Sequence, residues 1–246
     1  YGAGGGCGQS GIVQSAVTFF GADSVSDGVE IPAATLPVDI AFSHDGRSVA
    51  IVAAGNESGL LAVQVFDRAS LEATGSFGCM GTSTDPVFAG TFDERGELVA
   101  PAVVNAIAAA YDGRDRLIIQ QREPSALVYM GETIALGGDS RFDTGHSVFH
   151  GNSGSFIACA SCHPEGGDDG RTWDFNGIGD RRTPALHGDL RGTEPFHWDG
   201  DMTDLHVLVH EVFTGRMSGP SLDAHQVDAL GGWLDAIPAP VGETSL

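Results

Sequence analysis

Two stretches of this chain carry the same short pattern, and that pattern limits the fold more than any other feature. VDIAFSHDGRSVAIVAAG (Val38 to Gly55) and NAIAAAYDGRDRLIIQQRE (Asn105 to Glu123) align Ile40 with Ile107, Asp45-Gly46-Arg47 with Asp112-Gly113-Arg114, and Ile51 with Ile118. An apolar run, a tight Asp-Gly turn and a second apolar run predict a β-hairpin. Hairpins recurring tens of residues apart predict an all-β array of such units. GTFDERGELVAPAV (Gly90 to Val103) has a similar strand, turn and strand rhythm around Gly96. Residues 1–140 are therefore expected to be all-β.

From Arg141 the pattern changes, and residues 141–246 are expected to form a second, all-α domain with long glycine-rich loops. GHSVFHGN reads as a short helix. DMTDLHVLVHEVFTG puts Leu205, Leu208, Val209, Val212 and Phe213 on one helical stripe, with Gly215 placed to end it. In SLDAHQVDALGGWLDAI, Ser221 is the expected N-cap, Val227, Leu230, Leu234 and Ile237 share a face, and Pro238 is the stop. Gly231 and Gly232 inside that helix predict close packing against another backbone.

The chain has 4 cysteines, and two of them fall in FIACASCHPEGG (Phe156 to Gly167). Zinc needs four ligands, usually in two pairs, and Cys7 and Cys79 have no neighbouring cysteine. A redox dithiol calls for a strand entering a helix in an α/β fold, which this sequence does not predict. Cys-x-x-Cys-His is also the attachment signature of haem c. On that reading Cys159 and Cys162 take the two vinyl groups and His163 ligates iron. A structural disulfide between these two cysteines is the rival reading. Haem attachment takes place outside the cytoplasm, so the expected location is periplasmic or extracellular. Cys7 and Cys79 are then the candidates for one disulfide.

Two resemblances follow from these motifs. The repeated hairpins resemble the YVTN-type β-propeller repeats of exported bacterial proteins. At about 40–45 residues a blade, residues 1–140 hold about three, fewer than a closed ring needs. The resemblance implies an incomplete propeller-like segment, with another chain or removed residues completing the ring.

Gly145 with Val148 and Phe149, the CxxCH, Arg182-Thr183-Pro184-Ala185-Leu186 and Pro195-Phe196-His197-Trp198-Asp199-Gly200 resemble, in order, the haem domain of the bacterial dihaem cytochrome c peroxidase and MauG family. The likeness implies a cytochrome c-type fold over residues 141–246. Met217 is the implied sixth iron ligand, with His210 and His206 as alternatives. Arg182 is a candidate propionate partner or an ordinary surface ion pair; Pro184 frames the haem edge or is an ordinary turn proline; the resemblance favours a propionate or distal-loop contact for His197 over a brace of its turn; and Trp198 is a candidate for electron entry or a packed tryptophan. The HWDG turn is one residue longer than the family's common form. The chain has a single CxxCH where the family has two, so it resembles the electron-relaying half.

These readings give an exported monohaem c-type cytochrome that relays electrons within a larger assembly, its partner a redox protein or a second haem-bearing chain. Two rival functions are a peroxide-consuming haem enzyme using His210 or Glu211 as acid–base group, and a propeller binding module with a structural haem. The run PEGGDDGRTWDFNGIGD, with Asp168, Asp169, Asp174 and Asp180, is a calcium candidate, with a solvated acidic loop as the competing reading.

All 12 basic residues are arginine against 33 acids, giving a net charge of −21. Such a surface repels nucleic acid and acidic lipid and attracts basic partners. No run is apolar enough for a membrane span. YGAGGGCGQSG at the start lacks an initiating methionine and a charged-then-apolar leader. The expectation is a chain that is processed, truncated or part of something longer.

Overall fold

The structure is a computed structural model and describes residues 13, 15–25, 29–31, 34–56, 62–73, 87–88, 91–92, 98–99, 103–175 and 178–239. Cys7 and Cys79 lie outside the described residues. The described residues divide into two compact units, one of residues up to 142 with 155–157, the other of residues 143–154 with 158–239.

The first unit is antiparallel sheet. A short pair, β1 (Ala16–Val17) with β2 (Val29–Glu30), precedes a four-stranded meander of β3 (Pro37–Phe42), β4 (Ser48–Ala53), β5 (Val63–Asp67) and β6 (Val87–Phe88). Helix α1 (Arg68–Ala73) follows β5, and β7 (Thr91–Phe92) pairs with β8 (Leu98–Val99). A second four-stranded meander contains β9 (Ala106–Tyr111), β10 (Leu117–Gln121), β11 (Ala126–Tyr129) and β12 (Glu132–Ala135).

Strand β4 is buried on both faces, which explains its unbroken apolar sequence. On one side Val49 and Ile51 join Ile31, Phe66 and Leu71; on the other Ala50, Val52 and Val63 meet Ala106, Ile119 and Val128 of the second meander. Two carboxylates clamp the meanders together. Asp39 Oδ2 accepts from the Ala109 N–H at 2.8 Å, and Asp115 Oδ1 accepts from the His44 N–H.

The two Asp-Gly hairpins repeat one another down to their irregularities. Phe42 pairs with Val49, Ile40 with Ile51 and Pro37 with Ala53; Tyr111 pairs with Leu117, Ala109 with Ile119 and Ala106 with Gln121. Both ladders slip at the last of these pairs. Leu36 (φ 55) and Asn105 (φ 51) precede the incoming strands, and each turn ends on a left-handed residue, Gly46 (φ 72) or Asp115 (φ 59). Equivalent positions up to the turn are thus 69 apart, whereas matching the Asp-Gly-Arg triplets places them 67 apart. The turn is fixed by where the left-handed residue falls, and glycine or aspartate can fill that place.

The second unit corrects the expected fold class. Among the described residues most of the regular structure is antiparallel β-sheet with few, short helices, and the described part of 141–246 does not form an all-α haem domain. The unit has helices α2 (Thr144–His150), α3 (Leu205–Leu208) and α4 (Ala224–Ala236), a π-helical run Val209–Arg216, and a hairpin of β13 (Thr172–Phe175) with β14 (Gly179–Arg182). The cause is written between His163 and Asp204, where Gly166, Gly167, Gly170, Gly177, Gly179, Pro184, Gly188, Gly192, Pro195 and Gly200 leave no uninterrupted run for a helix.

The helices form largely where periodicity places them. Asp143 caps α2, its carboxylate accepting from the His146 N–H at 2.8 Å. The cap of α4 is Asp223 rather than Ser221, in a reciprocal box with Gln226. Leu205, Val209 and Phe213 are buried as expected, but the helix runs on past Gly215 to Arg216. Gly231 faces the side chains of Leu205 and Arg191 rather than a backbone. The close backbone approach is at Gly145, where an added Cβ would lie 2.3 Å from the Ala229 carbonyl oxygen. That contact seats α2 on α4, with Phe149 tilted on Trp233 at 4.7 Å.

Candidate functional site: the Cys-x-x-Cys-His turn

Residues Cys159–Ser161 form a single 3₁₀ turn, and Cys162 caps it with its N–H on the Cys159 carbonyl at 3.2 Å. Residues three apart on such a turn eclipse, so the two cysteines project to one side. The His163 N–H also donates to the Cys159 carbonyl, at 3.0 Å. Ser161 Oγ closes the front of the turn by accepting from the Ala158 N–H at 3.0 Å.

Both cysteines are free and half-buried. Burial pushes the Cys159 thiol up to about 12. Burial, with the charge of Asp169 added, pushes Cys162 up to about 11. Such thiols stay protonated at neutral pH, the opposite of what a redox dithiol requires. Among the described residues no three His, Cys, Asp or Glu side chains are grouped to hold a metal ion.

His163 is oriented from across the unit. Its Nδ1 lies 2.9 Å from the Pro184 carbonyl oxygen, which can only accept. The proton is therefore on Nδ1, and Nε2 carries the lone pair a metal would use. Burial also holds the imidazole below its ordinary range, opposed by the Pro184 and Gly167 carbonyls, so the neutral ring is favoured.

The β13–β14 hairpin puts Pro184 in place, ending two residues before it. Thr183, buried, accepts the Trp173 indole N–H at 3.1 Å, and the same N–H reaches Asp169 Oδ2 at 2.9 Å. Burial raises the Asp169 carboxyl, but hydrogen bonds from the Arg171 N–H, Thr183 and Trp173 outweigh it and hold the group low. The Asp168 and Asp169 carboxylates of the calcium candidate run are thus engaged in closing their own loop, accepting from the N–H groups of Gly170 and Arg171. Asp174 and Asp180 pair across the hairpin.

Met217 follows the π-helical run, its N–H on the Val212 carbonyl at 2.9 Å. Its own carbonyl accepts from the fully buried Ser153 Oγ at 2.7 Å, which ties it to the segment leading into the cysteines. Arg182 is exposed and meets Asp168 Oδ2 at 3.5 Å, while its carbonyl takes the Trp198 indole N–H at 2.9 Å. His197 lies between Asp201 and Arg216. His206 and His210 are both exposed, His206 3.7 Å from Asp228.

The structure thus brings Cys159, Cys162, His163 and Pro184 together, while Met217 is bonded to Ser153, which precedes Cys159 in the chain. Sequence reasoning missed Ser153 and Arg216, which act through single polar contacts that leave no periodicity or spacing, and it gave Asp169 and Thr183 no part in holding Trp173. Comparison of the chain with protein-family models, with curated proteins and with solved structures found no match.

Proposed function

We propose that this chain carries one haem c, joined by thioether bonds at Cys159 and Cys162 and ligated by His163, and that it relays single electrons outside the cytoplasm. One observation carries the reading: next to two free thiols on one turn stands an imidazole whose Nδ1–H is committed to Pro184, leaving Nε2 as the donor. The donor set fits the group. Two half-buried thiols on one turn would hold the haem through its two vinyl groups, each S–H adding across one of them.

Bound there, the haem supplies a one-electron couple. The chain's residues do the rest. Pro184 holds the proximal ring in one tautomer and orientation. Met217, anchored by Ser153, would supply the second iron ligand, and a thioether in that role would favour electron transfer over peroxide chemistry. The exposed guanidinium of Arg182, in a long contact with Asp168, is available to a propionate. The net charge of −21 suits a redox partner with a basic docking face.

A pyridine haemochrome with an intact mass counts covalent haems, and an optical spectrum with and without peroxide reads the iron. One haem with a low-spin, methionine-type spectrum indifferent to peroxide is the expected result. A high-spin ferric haem that forms an oxidised intermediate with peroxide replaces relay by a peroxidase-like activity.

A further inference from the structure

The turn that carries His197 is closed at its base by Phe196 and Met202, both buried, which exchange backbone hydrogen bonds of 2.7 and 3.3 Å. Inside it His197 stands at φ 73, a left-handed conformation that favours glycine. Its ring shows why a histidine is held there. Nδ1 lies 2.9 Å from Asp201 Oδ1, and Nε2 lies 3.2 Å from Arg216 Nη1. A carboxylate only accepts and a guanidinium only donates. Both bonds therefore exist together in one protonation state, the neutral ring with its proton on Nδ1. The Asp201 carboxyl is held below the usual carboxylate range, first by the bond from His197. The other charged pair on this turn is Asp199 with Arg181 of β14, 3.5 Å apart. Trp198 packs on the His197 ring at 4.4 Å.

Arg216 ends the π-helical run, and Met217 is the next residue. We propose that Asp201, His197 and Arg216 form a proton-controlled latch on the segment that carries Met217. The consequence for iron rests on the haem reading above; the latch itself is a property of the protein. A proton on Nε2 turns an acceptor into a donor facing a donor and sets two positive charges 3.2 Å apart. Asp201 keeps the Nδ1–H, so Arg216 is the partner released, and the end of the run loses its side-chain tether to this turn while Met217 keeps its bonds to Val212 and Ser153. His197 and Arg216 are positioning residues.

The test uses the full chain with methyl-labelled methionine, haem-free and haem-loaded, with the variants His197→Gln and His197→Gly. The glutamine replaces the ring with a group that does not titrate, and the glycine removes the ring while accepting the backbone conformation. In the wild type the Met217 methyl resonance should move on acidification, as the bond between Arg216 and His197 is lost. H197Q should remove that titration, and H197G should hold the acid position throughout. In the haem-loaded wild type the methionine–iron charge-transfer band should fall several-fold on acidification and persist in H197Q.

A Met217 resonance indifferent to pH in the wild type, or titrating identically in folded H197Q, overturns the latch. Should H197G fail to fold, the comparison of wild type with H197Q decides. If no variant carries covalent haem, the proposed function fails while the methyl resonance still decides the latch.

Discussion

The sheet unit and the Cys-x-x-Cys-His unit hold their chains in place by different means. In the first, position is set by backbone ladders and by two apolar layers around β4, and the same hairpin geometry serves twice. In the second, long stretches lie outside ladder or helix, and single side chains fix them: His163 on Pro184, Ser153 on Met217, Trp198 on Arg182, Trp173 on Asp169 and Thr183. A repeated scaffold tolerates substitution wherever the pattern of burial survives. A site built from one-off polar contacts does not, but it can aim a ring nitrogen.

The sharpest break of that contrast is in the sheet core. Phe66, 3% exposed, fills the layer under β4, and Phe66→Ala should cost about 3–5 kcal/mol by denaturant unfolding. The loss should appear as faster hydrogen exchange throughout β3–β5, since the layer supports the ladder cooperatively. A loss confined to the Phe66 amide would mean that the strands are not held by that layer.

A smaller effect is expected in the second unit at Gly145. Gly145→Ala puts a Cβ 2.3 Å from the Ala229 carbonyl and 2.5 Å from Trp233 Cβ, and should cost about 1–3 kcal/mol. Gly113→Ala in the repeated turn meets nothing within 4 Å and should stay within about 0.5 kcal/mol of wild type. Equal effects of the two alanines would remove the distinction between a close helix approach and an open turn.

The smallest effect is electrostatic. Asp112 is held far below the usual carboxylate range, first by the Arg116 side chain and then by the backbone N–H of Arg116, with Arg114 and the Tyr129 hydroxyl adding. Because the folded value is the lower one, its contribution is present above the ordinary carboxylate pKa of about 3.9 and is lost as pH falls toward the folded value. The difference in urea midpoint between wild type and Asp112→Asn should therefore shrink below about pH 4. A difference that stays constant with pH would show that the carboxylate charge is not what Arg116 and Tyr129 recognise.

Much of the sheet unit was legible because period-2 patterning and Asp-Gly turns act locally. The register was not. Identity matched Asp45 with Asp112, whereas geometry matches Gly46 with Asp115, because a left-handed φ is a property of position that two residue types satisfy. In the second unit the cysteine spacing pointed to the candidate site, and the stripe of Leu205, Val209 and Phe213 marked a helix. The hairpin of Thr172–Phe175 with Gly179–Arg182 was hidden, its short, largely exposed strands of mixed charge reading as a loop. The partner of His163 lies 21 residues away and is a main-chain carbonyl, which no side-chain motif encodes.

The central claim is decided by the mass of the peptide spanning Phe156 to Gly167, released from protein produced with export and haem maturation in place. The account predicts the peptide mass increased by one haem, with the increase lost in Cys159→Ala/Cys162→Ala. A peptide of unmodified mass, with both sulfurs titrating as thiols or joined to each other, contradicts it.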